Sequence, residues 1–273
     1  MAEKKYTPMM QHYLKMKEEN PDAILFYRLG DFYEMFFEDA KLVSQELDLV
    51  LTGRSAGVEE KVPMCGVPFH AANSYIQRLV KKGYKVAICE QLEDPSSAKG
   101  LVDRGIIKII TPGTYMDATM DAKSTNYMAS CEISSFEITV IYCELSTGEL
   151  KYQTLQRSLV SLQKALLEQN VSELVCPMTM DKKWMAALEE MDAMVISKHK
   201  KANIDSEDLP LLNGIESESL KEAFALLMAY LKDTQKQHID HFLPIESMDK
   251  DKVLVMDYET KNHLELVSSQ STN

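Results

Sequence analysis

The chain has 273 residues, 45% of them hydrophobic, and a formal net charge of −12. That is enough apolar material for one large core or two ordinary ones. No apolar run reaches the ~20 residues of a membrane span, and Met1-Ala2-Glu3-Lys4-Lys5 is not followed by the apolar stretch of a secretory signal.

The five cysteines, Cys65, Cys89, Cys131, Cys143 and Cys176, are odd in number and contain no Cys-x-x-Cys pair. They fit reduced thiols in a cytoplasmic protein. The charge is uneven. Residues 1–120 carry 15 basic and 17 acidic side chains, against 15 and 25 in residues 121–273. Within 51–110, nine basic residues face six acidic ones. A local basic patch is expected there, while the acidity of the whole chain predicts weak binding to phosphate-rich partners.

In chain order, Thr7 reads as an N-cap with Pro8 at the first helical position, and the helix runs to about Glu19 before Asn20-Pro21. Ile24-Leu25-Phe26-Tyr27 is a strand, Gly30-Asp31 a turn, and Phe32 onward a return strand, so the stretch is a hairpin. Alternate strand residues share a face, which puts Phe32 and Glu34 on one side and Tyr33 and Met35 on the other. Such a hairpin could present an aromatic wedge beside a carboxylate, or could simply bury its Phe in a core. Glu38-Asp39 open a second helix, and Leu49-Val50-Leu51 is a short strand. Residues 53–70 read as loop, broken by glycines and prolines. Ala71 to Lys82 is a helix closed by Gly83, and Lys85–Cys89 and Ile106–Ile110 are strands, the second apolar enough to be central. Pro112-Gly113 end a mixed α/β first domain, residues 1–113.

Residues 114–125 are polar and linker-like. Three strands at hairpin spacing follow: Tyr127 to Ile133, Phe136 to Glu144 and Glu149 to Leu155. Then come a helix (Leu159 to Glu168), a strand (Glu173 to Cys176), a helix (Lys183 to Met191), a strand (Ala193 to Ser197) and a long helix from about Ser219 to Lys236. Three antiparallel strands followed by alternating helix and strand give the order of an RNase H-like α/β domain, placed at 126–250.

Several blocks together resemble the N-terminus of the MutS family of DNA mismatch repair proteins. They are Thr7-Pro8-Met9-Met10, Phe26-Tyr27-Arg28-Leu29-Gly30-Asp31-Phe32-Tyr33-Glu34, Pro63-Met64-Cys65-Gly66-Val67-Pro68-Phe69-His70, Val86-Ala87-Ile88-Cys89-Glu90-Gln91 and Thr111-Pro112-Gly113-Thr114. The resemblance implies a mismatch-recognition domain over 1–113 and a connector domain over 126–250. It also implies the start of a helical core over 251–273, with Asp257 as an N-cap. Phe32 is then the ring that stacks at a mispaired base, and Glu34 the group that hydrogen-bonds to it. Phe36 and Glu38 share the spacing but not the surrounding motif, and the role is not extended to them. Arg54 and Arg104 fall where the resembling proteins place basic residues near the DNA backbone. Where relatives often carry Lys between Thr and Arg, this sequence has Gly53.

The function implied is binding of duplex DNA carrying mispairs or small loops, as the N-terminal part of a longer ATPase. A mispaired step is cheap to kink, so a wedge, one hydrogen-bonding group and phosphate contacts suffice without a base code. Phosphates repel a carboxylate, so Glu34 is expected to be protonated, or to share a proton with the base, when DNA is bound. The sequence holds no Gly-x-x-x-x-Gly-Lys-Ser/Thr motif. ATP, magnesium and the homodimer are therefore expected of full-length relatives, with no cofactor, no ATP turnover and a monomer expected here. MutL is the protein partner that the resemblance implies for the connector domain.

Two other readings stand beside this one: an RNase H-like nuclease using Glu132 or Glu144 on divalent metal, and a protein-interaction module that binds MutL alone. His238-Ile239-Asp240-His241 could hold a metal but reads better as loop surface. Trp184 reads as a packing residue, and Lys81, Lys82 and Lys85 as solvated charges at a helix end.

Overall fold

The computed structural model of the chain describes residues 6–93, 102–115, 126–236 and 241–248. Two compact units result, Met1–Tyr115 with Lys232–Ile239 and Met116–Leu231 with Asp240–Asn273.

The first unit runs α1 (Pro8–Glu19), β1 (Ala23–Leu29), β2 (Phe32–Phe36), α2 (Phe37–Leu47), β3 (Thr52–Arg54), β4 (Val62–Pro68), α3 (Ala72–Lys81), β5 (Lys85–Gln91) and β6 (Arg104–Ile110). Its sheet has the order β3-β4-β2-β1-β5-β6. Only β1 and β5 pair in parallel. Both faces of the sheet are covered. On one, Phe26, Tyr33, Met35, Cys65 and Val67 pack with Val43 and Leu47 of α2 and Ile76 and Leu79 of α3. On the other, Leu25, Tyr27, Phe36 and Val62 pack with Met10 and Tyr13 of α1. A strand covered on both faces has no polar side, which is why β1 reads as a continuous apolar run.

The α1 boundaries agree with the sequence reading. The Thr7 hydroxyl accepts the Met10 amide at 3.4 Å, and Asn20 is the C-cap. Asp39 does more than complement the α2 dipole. Its buried carboxylate takes Lys17 Nζ at 2.9 Å and the Leu25 amide at 2.9 Å, tying α1, β1 and α2 together.

Three expectations are corrected. The strand at 49–51 is displaced to Thr52–Arg54, leaving Val50 and Leu51 exposed. Residues 62–68 form β4 inside the sheet, paired with both β2 and β3. The prolines that suggested loop stand at positions where pairing survives, and neighbours on both sides override weak local propensity. β6 is not central but ends the sheet. It reads as apolar because Ile106 and Ile109 pack into one core and Ile107 and Ile110 into the other.

The second unit runs β7 (Tyr127–Ile133), β8 (Glu137–Glu144), β9 (Glu149–Gln156), α4 (Leu159–Glu168), β10 (Val171–Pro177), α5 (Lys182–Glu189), β11 (Val195–His199), α6 (Glu218–Gln235), whose part up to Leu231 belongs to this unit, and β12 (Glu246–Ser247). Its sheet has the order β11-β10-β7-β8-β9-β12. β7, β8 and β9 are antiparallel, and β10 and β11 run parallel to β7. This is the RNase H-like arrangement expected. Leu162 and Leu166 of α4 and Met185 and Leu188 of α5 pack on one face. On the other face the Ser130 hydroxyl donates to the α6 carbonyl of Ala223 at 2.7 Å. There the buried Glu173 carboxylate accepts the Ser197 and Tyr230 hydroxyls. Trp184 packs at the edge of the α4–α5 core.

The chain returns after α6 to add β12 beside β9. The return is seated on the β8–β9 turn. The Leu243 amide donates to Gly148 O at 2.8 Å, and His241 Nε2 lies 2.7 Å from Leu145 O. His241 is thus tied to a carbonyl of the turn, whereas His238 and Asp240 lie outside the described residues, as do 116–125 of the expected linker and all of 251–273. Among the described residues no group of three His, Cys, Asp or Glu could hold a metal ion, and no helix is long and apolar enough to cross a membrane. All five cysteines are buried, and burial pushes the Cys65 and Cys89 thiols up to about 12.

Two glycines with positive φ separate strain from crowding. A Cβ on Gly148 (φ +73°) would collide with the His241 carbonyl, whereas one on Gly30 (φ +58°) would meet nothing within 4 Å. Gly30→Ala is expected to cost only the left-handed backbone penalty, about 1 kcal/mol. Gly148→Ala is expected to cost about 2 kcal/mol or more and to detach residues 241–248. Urea unfolding of both variants, with limited proteolysis after α6, measures the difference.

Candidate nucleic-acid interface

The β1–β2 hairpin forms the middle of the first sheet. Its register pairs Tyr27 with Glu34, Arg28 with Tyr33 and Leu29 with Phe32. On its other edge β2 pairs with β4, Phe32 facing Pro68 and Glu34 facing Gly66. Strand alternation then decides the site. Tyr33 and Met35 enter the core beneath α2 and α3, and Phe32 and Glu34 face the opposite way. Phe36 on that same side is far enough from the turn to be covered by α1. Phe32, beside the turn, stays 47% exposed. Glu38 sits on α2 and pairs with Lys41, so the second Phe-x-Glu spacing is divided between a core and a helix surface.

Gly66 gives Glu34 its room. A Cβ there would lie 3.5 Å from Glu34 Cγ and 3.2 Å from Tyr33 O. The Glu34 side chain reaches past β4 and pairs through Oε2 with Arg54 Nη1 of β3. The two side chains keep 15% and 36% of their exposure. The Arg54 guanidinium also lies 6.0 Å from the Phe36 ring centroid. Beside it, the Lys61 side chain runs along Gly53, whose absent Cβ would stand 3.0 Å from Lys61 Cβ. The structure therefore joins Phe32, Glu34 and Arg54 on one surface.

Arg104 sits elsewhere. It is 7% exposed, and its guanidinium donates to Arg28 O at 3.0 Å and to Val102 O at 2.8 Å. It also lies 5.4 Å from the Tyr27 ring. In this conformation that guanidinium braces β6 against β1 and the Tyr27 ring rather than facing solvent. Of the helix-end lysines, Lys82 is paired with Glu46 at 2.7 Å.

Sequence reasoning did not single out the groups that hold the turn from behind. Arg28 donates through Nε to the Gly30 carbonyl in the turn itself. Its guanidinium stacks 3.8 Å from the Phe69 ring centroid, and its Nη1 lies 3.4 Å from Glu90 Oε1. Glu90 also accepts the Tyr33 hydroxyl. Burial and that bond push the Tyr33 phenol well above its ordinary range. The Phe69 amide continues the ladder, donating to Asp31 O at 2.9 Å. The signal was present in the sequence. Arg28, Phe69 and Glu90 each lie in one of the separated blocks that carry the resemblance, and those blocks are the strands β1, β4 and β5 around the hairpin.

In the second unit, Glu132 and Glu144 do not converge. They stand at opposite ends of the β7–β8 pair. Glu132 pairs with Lys201 at 2.9 Å, and Glu144 accepts the Ser146 and Thr147 hydroxyls of the turn that follows it. Each carboxylate has a local structural partner.

Comparison with known proteins places the chain by its sequence. Residues 7–119 match the family model of MutS domain I. The DNA mismatch repair protein MutS of Bacillus licheniformis is 43% identical over 268 residues, covering 97% of this chain and 30% of that protein. The protein of the same name from Bacillus subtilis is 42% identical over 265 residues, with the same coverage. That of Listeria monocytogenes is 43% identical over 266 residues, covering 97% of this chain and 31% of its own. The chain thus spans about 30% of the length of the curated relatives it matches.

The Arg28 brace predicts a graded response. Arg28→Met removes the Gly30 bond and the stack on Phe69 and leaves Glu90 with the Tyr33 hydroxyl alone. It is expected to cost about 1–3 kcal/mol in urea unfolding. Arg28→Lys should recover less than half of that, because an ammonium supplies neither the fork nor the plane. Full recovery by Lys would show that charge alone matters.

Proposed function

The chain belongs to the MutS family through the MutS domain I of residues 7–119, and on that premise we propose that its first unit reads mispaired DNA with the tip of the β1–β2 hairpin. The observation that carries the reading is the exposure of the Phe32 ring beside Glu34, on a strand paired along both edges. A Phe held outside two well-filled cores is available to another partner. A base step supplies one where stacking is already weak. Opening a mispaired step costs less than opening a matched one, and a ring inserted there gains stacking of about 1–3 kcal/mol. Discrimination then follows from deformability, with no recognition of particular bases.

Glu34 is the hydrogen-bonding member. As a carboxylate it can only accept. Protonated, or sharing a proton with the base, it would donate to an acceptor such as a purine N7. Arg54 supplies a cation at the same surface, for a phosphate. Arg104 enters as a support of the strand that carries the hairpin, and a phosphate contact by its guanidinium would require release of two carbonyls. The net charge of −12 favours a weak, strongly salt-dependent grip by these residues alone.

For the second unit we infer the connector role, with MutL as the protein partner and no contact residues assigned. Mismatch repair as a whole, the homodimer and cytoplasmic location are the roles proposed for the protein in which this chain acts. ATP and magnesium belong to that reading only through full-length relatives. This sequence has no phosphate-cradling glycine motif.

The test is binding of the chain at low salt to a duplex with one mispair and to its matched counterpart, by fluorescence anisotropy. Phe32→Ala should lower affinity for the mispaired duplex about tenfold while leaving the matched duplex within twofold. Glu34→Gln should retain the preference, and Glu34→Ala should lose it. If Gln fails as badly as Ala with the fold intact, the donor role of Glu34 is wrong. If Phe32→Ala changes neither duplex, the wedge is wrong.

A further inference from the structure

We propose that Arg54 is a specificity-determining residue that exchanges partners. It pairs with Glu34 while the DNA step stays closed, and it goes to a phosphate only when Glu34 turns to an opened base. The proposal rests on the reading of Phe32 and Glu34 given above and assigns a role to the contact between Glu34 and Arg54.

Three observations support it. First, the Glu34 carboxylate is paired with Arg54 in the DNA-free protein, so neither group is idle before DNA arrives. A bare carboxylate on a DNA-facing surface would be repelled by phosphates. With Arg54 against it, Glu34 meets a matched duplex as one half of a neutral pair. Second, the pair is placed to open. Arg54 is on β3, the strand at the end of the sheet, and its side chain keeps 36% exposure. Glu34 is the more covered member at 15% exposure, so the exposed guanidinium is the side of the pair from which exchange can begin. Arg28 and Arg104 differ, since each donates to backbone carbonyls within the unit. Third, the geometry links the trigger to the exchange. Glu34 lies two residues from Phe32 on the same strand face, and Gly66 opposite it leaves room beside its Cγ, so the Arg54 guanidinium is the charged partner that the carboxylate gives up when it moves. If Phe32 enters an opened step, Glu34 moves toward the base edge, and its departure frees the guanidinium.

The consequence is a phosphate contact that exists only in the mispaired complex. Each phosphate contact contributes about 0.9 to the slope of log affinity against log salt. The wild-type slope should therefore be steeper for a duplex with one G·T mispair than for the matched duplex, by about one contact. Arg54→Met should remove that difference by flattening the mispaired slope alone, and Arg54→Lys should restore it. Glu34→Ala frees Arg54 permanently, so the matched duplex should gain the steeper slope, and the Glu34→Ala/Arg54→Met double variant should lose it again. Arg54→Gln serves as a second neutral variant, and circular dichroism checks that each variant is folded.

Equal flattening of both slopes by Arg54→Met would make Arg54 an ordinary phosphate contact and overturn the proposal. So would a change in neither slope, which would make the pair a structural brace. A wild-type chain with no preference for the mispaired duplex removes the functional reading and this proposal together. A clear wild-type preference with slopes that Arg54 does not separate removes this proposal alone.

Discussion

The register of β2 is the constraint on which the rest of the first unit depends. Side chains alternate with period two, so a slip of one residue would bury Phe32 and Glu34 and expel Tyr33 and Met35. Two devices prevent it. The strand is paired on both edges, with β1 and with β4, and its inward residues fill a core shared with α2 and α3. Exposure of the Phe32 ring is therefore a consequence of how firmly its neighbours are buried. The turn is fixed from behind as well, by Arg28 stacked on Phe69 and bonded to the Gly30 carbonyl. A probe meant to detect a soft step in DNA has to be stiffer than the step, and a hairpin held at three points meets that requirement.

Electrostatics refine the picture rather than drive it. An acidic chain does not collect DNA through bulk charge. What the first unit offers is a small surface where an exposed ring, a carboxylate and a guanidinium meet, with the two charges cancelling each other. Low intrinsic attraction suits discrimination, since a tight sequence-independent grip would swamp the few kcal/mol by which a mispaired step differs from a matched one.

The helices and most strands were legible because their signals are local. Thr7-Pro8 and Asn20 bracket α1, and alternation along Phe32–Met35 gave the correct faces. β4 was not legible. Pro63, Gly66 and Pro68 speak against a strand, and only its two neighbours make it one. The end position of β6 was hidden by its own hydrophobicity, which reflects two packed faces and says nothing about lateral neighbours. At the site, Phe32 and Glu34 could be read from the turn and the alternation. The Glu34–Arg54 pair could not, because 20 residues and a strand invisible to local signals separate its members. The different position of Arg104, turned inward to carbonyls, is likewise a tertiary fact.

The central claim is that the Phe32 ring leaves the protein to meet DNA. Fluorine NMR of the chain labelled with 4-fluorophenylalanine, the Phe32 signal assigned by its loss in Phe32→Leu, tests this directly. The account predicts a Phe32 resonance that responds to replacing water by deuterium oxide in the free protein and shifts with a mispaired duplex, while the Phe26 and Phe36 resonances stay still. A Phe32 signal insensitive to solvent, or one unmoved by DNA that shifts a different phenylalanine, would contradict it.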